Sequence, residues 1–488
     1  MSYVLGHQHA YAHFRSIEAA APAGGRSRAG WLDAALICLF LSGLYTNYTI
    51  QISPTVPFPS APAGVAGMIL LWRRRDQITP AAFSWLIIVL LVYLTSIVCA
   101  TDIGFLSRRT NGLIQLTYSI TIGYALFLTV THANRRLIAG LFLGFSLVVL
   151  IGCLLENYAG FRPISDAARN FLYSRGVYEN DLRDQLLYHR VRPKFFASEP
   201  SSVTFCYSLT TFVWMVTSRW RWKLVLYVVL VGLGMFAMPG PTLLLMLLLV
   251  LPYMLFLVSR RSGHLSFGRL LQITCVAVIF LGAFVVLAKF LFPTRLDHVT
   301  AGNDPSFFYR VQGPALAAGD ILTSYPLAGA GLTGEPFIES QVVDIYVRSP
   351  AYSPRWQIVK PATELLINYF WLHWIYLGLV WGLITAGALT VWLSVLGVPS
   401  PAFCWMVWAI LGQASGAYVG PTCWAVLFLA AAAAVLHQRG EVLDQASTTT
   451  AAGRPRSRRL RSPVAVENGS RKIERAADED THRRGLGG

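Results

Sequence analysis

Hydrophobic positions cluster into twelve stretches, at about 31–51, 54–72, 81–100, 112–131, 137–155, 199–217, 222–238, 241–258, 270–292, 367–395, 402–419 and 421–436. Repeated runs of about 17 or more apolar residues between short basic links read as membrane helices. The expected fold class is an all-α polytopic membrane protein with about twelve transmembrane helices. Pro54, Pro57, Pro59 and Pro62 interrupt the first half of the second stretch, which makes it the poorest helix of the set. Gly420-Pro421 alone divides the last two.

The polar links carry an orientation signal. Even-numbered links hold Arg73, Arg74 and Arg75, then Arg135 and Arg136, then Arg219, Arg221 and Lys223, then Arg260, Arg261 and Arg269, against the single acid Asp76. The short odd-numbered links hold only Arg108 and Arg109, offset by Asp102. Basic residues in short loops stay cytoplasmic, so both termini are expected inside and the long loops 156–198 and 293–366 outside. Residues 1–30 form a cytoplasmic tail in this scheme, and 31–437 the transmembrane domain. The segment 438–488, with eleven Arg/Lys, seven Asp/Glu and no apolar periodicity, reads as a disordered basic tail. Its run Arg454–Arg461 would sit near anionic lipids of the inner leaflet.

Composition sharpens the exclusions. Of 488 residues, 55% are hydrophobic and only 13% charged, about half the charge of a soluble domain. A soluble enzyme, a nucleic-acid-binding module and a small disulfide scaffold are thereby excluded, and the net charge of +16 is explained by its distribution. Seven cysteines all fall within apolar stretches, without a CxxC, and read as small packing residues. No apolar core with a cleavage site precedes Trp31, so the first stretch is expected to be a retained helix.

Candidate chemistry lies in the two long loops. The first ends in His189-Arg190-Val191-Arg192-Pro193-Lys194-Phe195-Phe196-Ala197-Ser198-Glu199-Pro200-Ser201. Arginine forks suit phosphate oxygens, whereas long basic side chains beside a membrane also snorkel toward headgroups. Snorkelling is the preferred reading of Arg190 and Lys194. Arg192 and Glu199 stand between the two readings, because a carboxylate at the mouth of a span is costly without a use or a partner. The second loop holds Arg295, then Tyr309 and Arg310 ahead of a moderately amphipathic stretch, 307–323, that suits a helix along the outer membrane face. It ends in Tyr325-Pro326-Leu327-Ala328-Gly329-Ala330-Gly331, where Pro and Gly stop a helix in a tight turn. His7, His9 and His13 have a metal-like spacing but are read as incidental, and His373 as a satisfied core histidine. No DxD pair occurs in the outer loops, and GxSxG, Walker A and HExxH patterns are absent.

With these residues in view, the chain resembles the O-antigen polymerase and ligase superfamily of bacterial surface-polysaccharide assembly. Four places carry the resemblance: the span count with a long loop before the tenth span; Arg192 followed by Phe196, Glu199, Pro200 and Ser201; Arg310 followed by Pro326-Leu327-Ala328-Gly329-Ala330-Gly331; and Leu365-Leu366-Ile367-Asn368-Tyr369-Phe370 with Gly378 and Gly382. They cover about residues 190 to 385. Two departures stand out. Ligases of the superfamily commonly carry a His before the residue resembling Asn368, where this chain has Ile367; a Ser-Arg pair of many members is replaced by Met238-Pro239-Gly240-Pro241-Thr242.

The resemblance implies a C-class glycosyltransferase fold in the bacterial inner membrane, with an undecaprenyl-diphosphate-linked glycan as donor and no metal or other cofactor. Arg192 and Arg310, aided by Arg295, Lys194 and Tyr309, would bind the diphosphate. Glu199 would be the base, or alternatively a group that positions Arg192, with Glu364 as a second carboxylate. The missing His favours a polymerase of oligosaccharide repeat units over a ligase. Membrane lipids, a chain-length regulator and a flippase are the other expected partners. A lipid-linked oligosaccharide transporter is the main competing class, and a noncatalytic assembly partner the third. Against the transporter stand two large outer loops and the lack of an internal repeat.

Overall fold

A computed structural model of the chain describes residues 29–53, 56–102, 104–173, 178, 181–188, 190–259, 267–291, 297, 301–302, 304–350 and 360–452. Helices dominate. In chain order they are α1 (Ala29–Thr46), α2 (Ala61–Arg73), α3 (Pro80–Val98), α4 (Leu106–His132), α5 (Arg135–Tyr158), α6 (Arg162–Leu172), α7 (Asp181–Tyr188), α8 (Pro200–Thr217), α9 (Lys223–Ala237), α10 (Leu245–Pro252), α11 (Phe267–Leu291), α12 (Gly313–Ser324), α13 (Glu339–Val347), α14 (Ala362–Leu365), α15 (Tyr369–Val395), α16 (Pro401–Gly412) and α17 (Pro421–Ala452). Proline opens α3, α8, α16 and α17, where its missing N–H costs nothing and its φ suits the first turn. Thr79 and Ser400 cap α3 and α16 by accepting from the amides of Ala82 and Phe403.

The protein is an all-α multi-pass membrane protein, with a helix in each of the twelve expected apolar stretches. Among the described residues, six helical segments are long and apolar enough to cross a membrane: Pro80–Val98, Leu106–His132, Arg135–Tyr158, Pro241–Val258, Tyr369–Val395 and Pro421–Gly440. Five further apolar helices are shorter, Pro401–Gly412 among them. At 12 residues, α16 is about 18 Å long, against a hydrocarbon layer of about 30 Å.

Three boundaries differ from the sequence expectation. The end of the first expected span and the start of the second instead form an antiparallel hairpin, β1 (Ile50–Ser53) with β2 (Val56–Phe58), and the prolines of the second deny a helix its amides there. In the eleventh expected stretch α16 stops at Gly412, and the chain beyond it turns to place the Ser415 carbonyl under the Tyr369 amide at 2.9 Å. The last helix runs to Ala452, so the first part of the expected tail is helical.

The core gathers around α17. Its residues Cys423 to Leu436 are buried almost without exception. Phe428 packs its ring on Tyr124 and Phe127 of α4 and Trp392 of α15, while Trp424 meets Tyr93 of α3. Around it α1 packs on α2, α2 on α4, α5 on α8, and both α3 and α12 on α15. The cysteines are all free, four of them buried. A separate compact unit begins at Leu443, of which only the end of α17 is described.

Candidate functional site

The link from α7 into α8 is a strained turn held on all sides. Phe195 and Phe196 have φ of 33° and 67°, left-handed values that cost a non-glycine residue about 1–2 kcal/mol each. Compensation comes from three helices. Glu156, buried in the last turn of α5, accepts from the amides of Lys194 at 3.0 Å and Phe195 at 2.6 Å. Ser165 of α6 accepts from Phe196 N at 3.2 Å, and Tyr45 of α1 donates to Phe195 O at 2.6 Å. The Tyr173 hydroxyl lies 2.7 Å from Thr46 O and 3.1 Å from Phe196 O, and its burial pushes the phenol up to about 12. Arg169, only 2% exposed, donates to Ala197 O, Ser198 O and Tyr178 O and pairs with Asp166 at 2.7 Å.

The expected cations of this loop turn inward. Arg192 donates from Nε and Nη2 to Asp184, whose side chain is wholly buried, at 2.9 and 2.8 Å. Its backbone amide reaches the second Asp184 oxygen at 3.3 Å, and Nη2 also donates to the Tyr178 hydroxyl at 3.2 Å. Nη1 is left as the part of the fork without a partner among the described residues. The guanidinium lies over the rings of Tyr188 and Tyr178, and burial raises the Tyr178 phenol above its ordinary range. Lys194 is buried and pairs with Asp181 at 2.9 Å, and Arg190 donates to the Tyr158 hydroxyl at 2.7 Å. Both meet acceptors within the protein, and an ammonium as buried as that of Lys194 must keep one.

Glu199 occupies the N-cap position of α8 in extended conformation, but its side chain does not cap the helix. It is exposed, and among the described residues its carboxylate has no hydrogen-bond or ion-pair partner. The alternative that Glu199 positions Arg192 is not realised, because Asp184 takes that place. Glu364, the second carboxylate, is exposed and paired with Lys360 at 3.4 Å.

The second loop is built on Asn368. Its Nδ2 donates to Arg310 O at 2.6 Å and to Gln413 Oε1 at 2.9 Å, while its Oδ1 accepts from the amides of Phe370 and Trp371 to cap α15. The full hydrogen-bonding capacity of the amide is thus used. Arg310 and Tyr309 lie in a π-helical turn, Phe308–Gln312, a local form that recurs at functional sites. Tyr309 and Phe308 pack on Tyr346, whose phenol is raised by burial and donates to Leu365 O at 2.8 Å. Within the expected helix 307–323, Ala317, Ala318 and Ile321 are buried where α12 packs on α15. Arg295 and the three N-terminal histidines lie outside the described residues.

The Pro326–Gly331 turn enters a break in α15 at Gly378, where φ is 66°. Pro326 O accepts from Leu379 N at 2.8 Å, Leu327 O from Trp381 N at 3.2 Å, and Ile375 O accepts from Ala330 N at 2.8 Å. Gly329 itself has φ of 56°, and a side chain there would collide with the Ile375 carbonyl and sit 2.6 Å from Gly378 N. Beside the turn, Arg109 is buried against Ala330 O and Asp102 O, and Glu335 accepts from Tyr376 while pairing with Arg108 at 3.4 Å.

The two groups of expected residues are therefore each internally connected: Arg192 and Lys194 through Tyr178, and Arg310 and Tyr309 through the Asn368 and Tyr346 contacts. Among the described residues, no hydrogen bond or ion pair joins Glu199 to Arg310. Sequence reasoning missed Glu156, Arg169, Asp184 and Glu335. The cost of a carboxylate at a span end, applied to Glu199, flags Glu156 equally. His373 is a satisfied core residue, with Nδ1 2.9 Å from the Tyr418 hydroxyl and Nε2 3.1 Å from Gly382 O. Among the described residues, no group of three or more His, Cys, Asp or Glu is placed to hold a metal ion. No protein-family model matches the chain, and no curated protein sequence does.

Proposed function

We propose that this protein is a polysaccharide polymerase with a C-class glycosyltransferase-like fold of twelve spans, both termini cytoplasmic and both long loops outside. It joins undecaprenyl-diphosphate-linked oligosaccharide repeat units on the outer face of the bacterial inner membrane. The acceptor sugar hydroxyl attacks the anomeric carbon of the donor, the bond to the diphosphate oxygen breaks, and the hydroxyl proton passes to Glu199. Arg310 and Nη1 of Arg192 are assigned to the charge developing on the diphosphate, where guanidinium groups supply the stabilisation a metal would otherwise give.

The observation that carries this reading is the contrast at Glu199. An exposed carboxylate without a partner among the described residues follows directly on a backbone that buried groups of α1, α5 and α6 hold in a strained shape. A base held in place while open to an acceptor is what proton abstraction in a transition state requires. Ile367, without a titratable side chain, supports the polymerase over the ligase. His373 lies six residues further on, within α15, and is committed to Tyr418 and Gly382.

The test is reconstitution. Purified protein given only lipid-linked repeat units should yield a ladder of longer lipid-linked chains. Transfer to a lipid A-core acceptor without a ladder would make it a ligase, and movement of the lipid-linked sugar across a vesicle membrane without either would make it a transporter.

A further inference from the structure

Helices α6 and α7 are inside out for elements of a water-facing loop. On α6, Ser165 and Arg169 lie about 40° apart around the axis and are buried. Ile164 and Phe171, within about 20° of each other, are 58% and 89% exposed. On α7, Asp184 is wholly buried, while Leu182 and Leu186, about 40° apart on the far side, are 71% and 73% exposed. The inner faces meet in one polar network: Arg169 donates to Tyr178 O, the Tyr178 hydroxyl donates to Asp184, and Asp184 holds Arg192. An amphipathic helix in contact with water has the opposite arrangement.

We propose that α6 and α7 lie in the lipid leaflet at their end of the bundle, with Ile164, Phe171, Leu182 and Leu186 among the acyl chains. The occupant follows from continuity. Helix α5, long and apolar enough to cross a membrane, exposes Val148, Ile151, Leu155 and Tyr158 along one stripe. The chain passes from the end of that stripe into α6 over only Ala159, Gly160 and Phe161. A wholly apolar groove of about 280 Å³ runs from that stripe to the residue before α6, lined by Val148, Ile151, Leu155, Phe161 and the strained pair Phe195 and Phe196. With 11 residues, α6 is about 16 Å long, too short to cross a bilayer and suited to lying in its interface. The Arg192 network then has lipid on its outer side, and the cap is held by polar contacts within and hydrocarbon without.

Photocrosslinking decides the matter. Phe171 or Leu186 is replaced by p-benzoylphenylalanine, and the protein is irradiated in nanodiscs of phosphatidylethanolamine and phosphatidylglycerol and analysed by intact mass. Ile151 on the α5 stripe serves as the reference position that must take up phospholipid. We expect phospholipid adducts at 171 and 186 in yields comparable to those at 151. A covalent dimer at 171 or 186, or unmodified protein at both while 151 is labelled, would overturn the proposal.

Discussion

Asn368 and Arg310, 58 residues apart, are joined by a 2.6 Å hydrogen bond from the Asn368 amide to the Arg310 carbonyl. The same amide caps α15 and reaches Gln413, so one buried side chain ties the π-helical turn of the second long loop to the start of α15 and the end of α16. The position of the Arg310 backbone is therefore set by Asn368.

Arg310→Ala is expected to abolish the polymer ladder, and Arg310→Lys to rescue poorly because the planar fork is lost. Asn368→Ala should instead lower stability by about 2–4 kcal/mol, since a cap and two buried hydrogen bonds go together. Activity and unfolding temperature measured on the same preparations check both; normal ladders from Arg310→Ala would remove it from the site.

Asp184 and Arg192 should behave as a structural pair. Asp184→Ala strands the Arg192 charge, and breaking such a buried pair costs about 3–5 kcal/mol. The double variant Asp184→Leu, Arg192→Met should recover most of that loss. Unfolding temperatures of the wild type, Asp184→Leu, Arg192→Met and the double variant give the coupling, and additive losses would show that the pair does not hold the loop.

Glu199→Gln should remove activity and leave stability unchanged within about 0.5 kcal/mol, the usual range for an exposed side chain without special contacts. Full ladder formation by this variant would exclude Glu199 as the base and leave the class of enzyme untouched.

The turn inserted at the α15 break gives the sharpest steric prediction. Gly329→Ala places a methyl group against the Ile375 carbonyl and backbone in a left-handed conformation, and is expected to cost at least about 2 kcal/mol. Gly319→Ala, on α12 with open space around it, should be neutral or stabilising by up to about 1 kcal/mol. Protease susceptibility of the two variants distinguishes them, and equal behaviour would refute the packing described for the turn.

The helical class, the apolar stretches and the stops at Pro326–Gly331 were legible in the sequence, because each follows from local periodicity or from the backbone limits of Pro and Gly. So were Arg192, Glu199 and Arg310 as unusual residues beside span ends. Which acid meets which base was not legible. Asp184, Asp181 and Glu156 are ordinary loop or helix-end carboxylates until folding brings α5 and α7 against the turn before α8, and Glu199, adjacent in sequence to that turn, is the one left over. The apolar outer faces of α6 and α7 were hidden for the same reason: a helical wheel shows two faces, but only the buried partners of Arg169 and Asp184 decide which is inward. Sequence fixes what each residue prefers, through hydration and backbone sterics. Tertiary structure decides partners, because desolvation makes a buried charge take the acceptor that geometry delivers, whatever lies nearest along the chain.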